Sequence, residues 1–150
     1  MSGKRNVILI VDDMEINRAI LRGVLEDEYH ILEAENGEQA MLLVEQYRSA
    51  IAVMLLDVVM PVKNGYEVLK EMSARGFLDQ IPVVMVTAEG SAESEVRAFD
   101  LGASYIVMKP FEPHVIRRRV QNIIELNLHK LHLEDLVEEQ DQSLRESNEI

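Results

Sequence analysis

Four times along this chain an apolar run of strand-forming residues ends in a side chain with chemistry to offer. Val7-Ile8-Leu9-Ile10-Val11 runs into Asp12-Asp13, and residues 51–56 run into Asp57. Behind Pro82, Val83-Val84-Met85-Val86 runs into Thr87, and residues 105–108 run into Lys109. Apolar runs without alternation belong to strands covered on both faces. Helical stripes and short loops separate them, the signature of a parallel sheet between two helix layers. Right-handed crossovers leave few topologies for such a sheet, and its ligand crevice lies at the carboxyl ends of the strands. The pattern therefore predicts that all five polar groups meet at one edge.

The intervening segments fit this frame. Ile16, Ile20, Leu21, Val24 and Leu25 recur at helical spacing. Residues 29–34 read as a shorter, more polar strand at an edge. Asn36 is placed to cap a second helix, with Gln39 reaching back as in a capping box and Ala40, Met41, Val44 and Tyr47 on its buried side. Pro61 and Gly65 punctuate the loop after Asp57 and a third helix covers about 66–75. Ser91 caps a fourth helix that Gly102 stops. Residues 112–147 contain no Gly, and their sole Pro, Pro113, stands at a helix start. Val115, Ile116, Val120, Ile123 and Ile124 can pack on the sheet. Leu126, Leu128, Leu131, Leu133, Leu136, Val137 and Leu144 follow among many charges, beyond what one domain needs. Residues 123–150 are thus expected to form a helical stalk toward a partner chain or a further domain.

Composition narrows the function. No stretch approaches the roughly 20 apolar residues of a membrane span, and the N-terminus has no signal-peptide pattern. The absence of cysteine excludes disulfides and thiolate metal sites, and a cytoplasmic address is expected. A formal charge of -12 disfavours direct nucleic-acid binding, and Arg117-Arg118-Arg119 reads as a solvated helix face. Met41, Met54, Met72 and Met85 read as core filler, and His129 and His132 as solvated.

Gathering Asp12, Asp13 and Asp57 has a cost. Two like charges 4 Å apart repel by roughly 4 kcal/mol at an effective dielectric of 20. Such a cluster must take up protons or gain a counter-charge, and oxygen donors without His or Cys select a hard cation, Mg²⁺ first, with Mn²⁺ able to substitute. An Asp can also attack phosphorus to form an acyl phosphate. Asp57, alone at a central strand end, is the expected nucleophile. Lys109 would offset charge on the transferring oxygens, and the Thr87 hydroxyl could donate to one of them.

Val11-Asp12-Asp13, Leu56-Asp57 with Met60-Pro61 and Gly65, Thr87-Ala88, Gly102-Ala103 and Lys109-Pro110-Phe111 together resemble the receiver domain of bacterial two-component response regulators (CheY-like). The resemblance covers residues 6–122. It implies a flavodoxin-like (βα)5 doubly wound sheet in strand order 2-1-3-4-5, here with an extended C-terminal helix. It implies that Asp57 accepts a phosphoryl group from a sensor histidine kinase or phosphotransfer protein. Asp12, Asp13, Asp57 and the backbone carbonyl of Val59 would hold Mg²⁺, while Thr87 and Lys109 contact the phosphoryl group. It further implies a regulatory phosphoacceptor rather than an enzyme, one that assists its own phosphorylation and dephosphorylation. A cis Lys109-Pro110 bond is expected, and so is a change in the surface of the fourth helix, last strand and last helix. That surface would control a downstream output, with cyclic-dinucleotide metabolism one candidate. A homodimer through the same face or the C-terminal helix is an expected assembly. Val59 and Glu89 flank the phosphate position and are expected to tune hydrolysis. The chain departs from the family at Ile106, where receivers carry Tyr or Phe. Tyr105 stands one residue earlier, on the opposite strand face. Asn64 replaces a frequent Asp.

Other classes remain in view. A phosphatase of the haloacid dehalogenase type also uses an Asp nucleophile with Mg²⁺, but needs a second Asp two residues later, where Val59 follows Asp57 and Met14 follows Asp12. In a flavodoxin-like electron carrier the first loop must cradle a phosphate, which Asp12-Asp13-Met14-Glu15 would repel. A degenerate receiver acting as a scaffold would not need all five polar groups.

Overall fold

Apolar β-branched runs separated by amphipathic helices assemble into one parallel sheet. The computed structural model describes residues 5–88 and 90–148, with side chains as far as Leu136. Strands β1 (Val7–Val11), β2 (His30–Ala34), β3 (Ile51–Leu56), β4 (Val83–Thr87) and β5 (Tyr105–Met108) lie in the order β2-β1-β3-β4-β5. Five helices, α1 (Glu15–Leu25), α2 (Gly37–Tyr47), α3 (Gly65–Ala74), α4 (Ala92–Asp100) and α5 (Pro113–Asn148), connect or follow them. This is the expected flavodoxin-like topology. No helix among the described residues is long and apolar enough to cross a membrane.

The sheet separates two cores. On one face Leu9, Met54, Leu56 and Met85 pack against Met41 and Val44 of α2, Leu69 and Met72 of α3 and Ala98 of α4. On the other, Ile8, Ile10, Leu55 and Val84 pack against Leu21 and Leu25 of α1 and Ile116, Val120 and Ile124 of α5. Strand alternation explains the division, with one exception. The β1–β3 register slips after Val7, which pairs with Ile51 while Ile8 pairs with Val53. Ala52 is the extra residue, and Ala52 and Val53 both join the second core.

Several local expectations are corrected. Asn36 caps α2 by accepting from the Gln39 N–H, but the Gln39 side chain accepts from the Glu35 N–H rather than closing a box on Asn36. A complete capping box forms instead at α3, between Asn64 and Glu67. Tyr47, Ile16 and Ile20 are exposed, because the buried stripes of their helices run through other residues. A 3-10 turn, Phe77–Asp79, precedes β4. Arg117 is no free solvated charge. It donates to the Val24 carbonyl and pairs with Asp27 and Glu28, tying α5 to the end of α1. Arg119 lies over the Tyr105 ring, 4.8 Å from its centroid.

Glu112 starts α5 by accepting the Val115 N–H, with Pro113 as first helical residue. Ile124 is its last buried side chain among those described, and Leu126, Leu128, Leu133 and Leu136 are exposed. The side chains of Val137 and Leu144, expected to continue this apolar series, lie outside the described residues.

The loop from β3 to α3 contains a strained residue. Val62 has φ 69°, a left-handed conformation that a β-branched side chain adopts at a cost of roughly 1–2 kcal/mol. Its side chain is exposed, so packing does not compensate. Val62→Gly should therefore stabilise the fold by about 0.5–1 kcal/mol after the entropy glycine adds to the unfolded chain. Thermal melting reads this as a rise of a few degrees, and a lower midpoint would refute the strain.

Candidate functional site

The carboxyl ends of β1, β3, β4 and β5 converge, as parallel alignment requires. Asp12 and Asp57 each continue the ladder by one residue. The Asp12 N–H donates to the Ala34 carbonyl at 3.1 Å, and the Asp57 N–H to the Val11 carbonyl at 2.9 Å. The Lys109 N–H donates to the Thr87 carbonyl at 2.8 Å, joining the ends of β4 and β5. Thr87 is the last residue of β4, not the first beyond it. The Lys109-Pro110 bond is cis, as expected.

These anchors bring the acids together. Ligand oxygens of Asp12, Asp13 and Asp57 all lie within 4.8 Å of one another. Asp12 and Asp57 are buried while Asp13 is exposed. The Lys109 ammonium stands 3.1 Å from Asp12 Oδ2 and 3.4 Å from Asp57 Oδ1, a counter-charge shared by two acids. Asp12 Oδ1 also accepts the Met14 N–H at 2.9 Å, and Oδ2 faces Asn17 Nδ2 at 3.3 Å. Asp57 Oδ1 accepts the Val58 N–H at 2.8 Å. Asp13, Asp57, Val59, Thr87 and Lys109 line one cleft of about 240 Å³. All-oxygen donors at this spacing fit a small hard cation, and the open cleft admits a phosphoryl group beside it.

Burial, and next the Asp12 charge, push the Asp57 carboxyl above its usual range, while Lys109 and the Val58 N–H pull the other way. The folded chain thus holds this proton more tightly than the unfolded chain does. The associated stability is complete below the unfolded pKa and is lost as pH rises through the folded one. In EDTA at neutral pH, Asp57→Asn should melt above the native chain, at roughly 2–4 °C per kcal/mol relieved. The gain should shrink as pH falls below the carboxylate range. Coincident melting curves at neutral pH would show that the acid cluster carries no such penalty.

Of the five strand-end positions singled out in the sequence, Asp13, Asp57, Thr87 and Lys109 line this cleft, while Asp12 is buried behind it against Lys109. Glu89, expected to flank it, lies outside the described residues. Ile106 packs with the α2–α3–α4 core and Tyr105 with the α1–α5 core, so the two do point to opposite faces. Near Thr87 the aromatic side chain is Tyr66 of α3, which shares a small void with Thr87 and Ile106. Arg97 of α4 lies 4.1 Å from its ring centroid. His129 and His132 are exposed, as anticipated. One contributor was missed, and another was named in the motif without its steric role. Arg18 is buried and donates to the Asp12 carbonyl. Its signal was its position three residues before Leu21 and seven before Leu25, on the apolar stripe of α1. Gly65 is the other: a Cβ there would stand 2.3 Å from the Asp57 carbonyl oxygen. Only backbone proximity reveals that.

The chain is similar to known proteins over this same region. The family model of the response regulator receiver domain matches residues 8–121. A chemotaxis protein CheY homolog of Campylobacter jejuni is 31% identical over 119 residues, covering 78% of this chain and 91% of that protein. A probable cyclic di-GMP phosphodiesterase of Vibrio cholerae is 36% identical over 118 residues, 79% of this chain but 26% of that protein. The signal receiver domain of a putative LuxO repressor protein from Vibrio parahaemolyticus superposes with a TM-score of 0.77 at 27% identity, covering 89% of this chain and 98% of that one. Against several longer curated relatives, the chain spans about half their length or less.

Proposed function

Because the chain belongs to the response regulator receiver domain family, we propose that it takes up a phosphoryl group on Asp57 from a sensor histidine kinase or phosphotransfer protein. The single observation that carries this reading is the shared counter-ion: one ammonium, Lys109, contacts both Asp12 and Asp57 in an open cleft walled by Thr87. Asp12, Asp13, Asp57 and the Val59 carbonyl would hold Mg²⁺. The ion supplies charge neutralisation for the acids and for the transferring phosphoryl oxygens.

The chain's own groups divide the remaining work. A carboxylate oxygen of Asp57 forms the new bond to phosphorus as the donor's P–N or P–O bond breaks, and the donor leaves as imidazole or carboxylate. Lys109 holds a compensating charge against the phosphoryl oxygens, and the Thr87 hydroxyl donates to one of them. Phosphorylation adds about -1.5 to -2 charge and three acceptor oxygens beside the β4–α4 loop. The resulting shift in population alters the α4–β5–α5 surface, where Arg97, Tyr105 and Arg119 lie. On this reading the receiver, bounded at 6–122 from the sequence, extends through Ile124, which still packs on the sheet, and the stalk beyond it carries the receiver's state to a partner or further domain.

Acetyl phosphate tests the chemistry without a kinase. With Mg²⁺ the native chain should gain one phosphoryl group by intact mass, and EDTA should prevent the gain. No gain at saturating Mg²⁺ and acetyl phosphate would defeat the proposal.

A further inference from the structure

Arg18 is a cation on a stripe that otherwise buries Leu21 and Leu25. An apolar side chain would fill that position at lower desolvation cost, since a buried guanidinium needs partners for all it gives up. Its partners lie on two different elements. Nη1 donates to the Asp12 carbonyl at 2.7 Å, and Nε donates to Glu33 Oε1 at 3.0 Å. The second Glu33 oxygen accepts from Arg22 Nη1 at 2.6 Å, and Glu35 Oε1 stands 4.0 Å from Arg18 Nη2. Glu33 belongs to the edge strand β2, so Arg18 braces the β1–α1 turn against β2.

The bond to the Asp12 carbonyl matters because that oxygen belongs to the Asp12–Asp13 peptide. The tilt of that plane sets where the Asp13 side chain leaves the turn. It also sets how Asp12 presents a carboxylate already engaged by Met14, Asn17 and Lys109. Arg18 thus holds the main chain from inside while the carboxylates open toward the cleft. Glu33 matches its charge, so its contribution to the acids is geometric. A planar fork whose separate nitrogens reach two acceptors at once suits this, and a lysine point charge does not.

Resting on the phosphoacceptor reading above, we propose that Arg18 is a positioning residue for the divalent cation. It locks the Asp12–Asp13 peptide so that both carboxylates face Asp57. Groups that orient metal ligands from behind typically change metal affinity by about 10- to 100-fold when removed.

The test uses the full chain with Arg18→Met, Arg18→Lys and Glu33→Gln, each checked for folding by circular dichroism. Calorimetry reads Mg²⁺ affinity, and amide hydrogen exchange at Asp13 and Met14 reads the turn without metal. Arg18→Met should weaken Mg²⁺ about tenfold and speed exchange at both amides. Saturating Mg²⁺ should restore phosphorylation from acetyl phosphate. Arg18→Lys should recover only part of the affinity. A folded Arg18→Met with native affinity and native exchange overturns the proposal, as does full recovery of affinity in Arg18→Lys. If Arg18→Met does not fold, Glu33→Gln decides. Weaker Mg²⁺ binding with faster exchange supports the brace, and native values for both overturn it. Failure of the native chain itself to bind Mg²⁺ would defeat the phosphoacceptor reading instead. The exchange measurements would then decide alone whether Arg18 locks the turn.

Discussion

Asp57→Ala is expected to take up no phosphoryl group from acetyl phosphate under conditions where the native chain gains one. The other two acids do not substitute. Asp12 is committed to Met14, Asn17 and Lys109, and Asp13 lies exposed beyond the end of β1. Asp57 alone stands at the end of the fully buried strand β3 while one of its oxygens meets Lys109. Removing its carboxylate also removes a like charge beside Asp12. The variant should therefore fold at least as well as the native chain, and loss of uptake cannot be ascribed to unfolding. Intact mass after incubation with acetyl phosphate and Mg²⁺ decides. A gain that persists in Asp57→Ala would move the acceptor to another residue and sink the assignment.

Gly65→Ala should produce the largest loss of stability of any single added methyl at the site. The new Cβ would stand 2.3 Å from the Asp57 carbonyl oxygen and 3.0 Å from Val58 Cα, both backbone atoms that no rotamer change can move. One of two things must give. The first turn of α3 can retreat, breaking the 2.9 Å bond from the Gly65 N–H to the Val58 carbonyl and disturbing the Asn64–Glu67 capping box. Otherwise the Asp57–Val58 peptide rotates, pulling the Val58 N–H away from Asp57 Oδ1. Either route costs about 3 kcal/mol or more, at the upper end of what overpacking does. Phosphorylation should fall at least tenfold even at temperatures where the variant remains folded, because both routes shift the acceptor. A native melting temperature with native uptake would show that the loop yields freely.

Much of this was legible because strand ends are punctuated in the sequence. Continuous apolar runs locate β1, β3 and β4, and each ends at or just before a polar residue, which places Asp12, Asp57 and Thr87 without coordinates. Helix caps were legible where one side chain and one near amide suffice, as at Asn36 and Ser91. They were misread where two donors compete for one acceptor, as when the Gln39 side-chain oxygen accepted the Glu35 N–H rather than that of Asn36. Tyr47 fits an amphipathic stripe by spacing, yet its helix buries only as wide a face as the sheet beneath it covers. The slip at Ala52 was invisible because alanine suits either face. Arg117 read as a solvated charge and Arg18 drew no reading, because a sequence shows spacing along one helix, whereas their acceptors lie on other elements. Gly65 read as turn punctuation, and only three-dimensional proximity to the Asp57 carbonyl gives it a steric role.

The seating of α5 has a mechanical consequence. Ile116, Val120 and Ile124 fix its first part to the sheet face that also holds β5, and no glycine or proline interrupts the helix beyond them. From Glu125 to Asn148 the helix runs about 36 Å, at about 1.5 Å per residue. A rigid rod of that length is a lever arm. A pivot of about 5° at its base would swing the far end by about 3 Å, far more than any atom near the cleft need travel. If Asp57 takes up a phosphoryl group as proposed, small repacking around Tyr105 and Ile116 would have built-in mechanical gain, carrying news of a single added anion to a distance without unfolding anything.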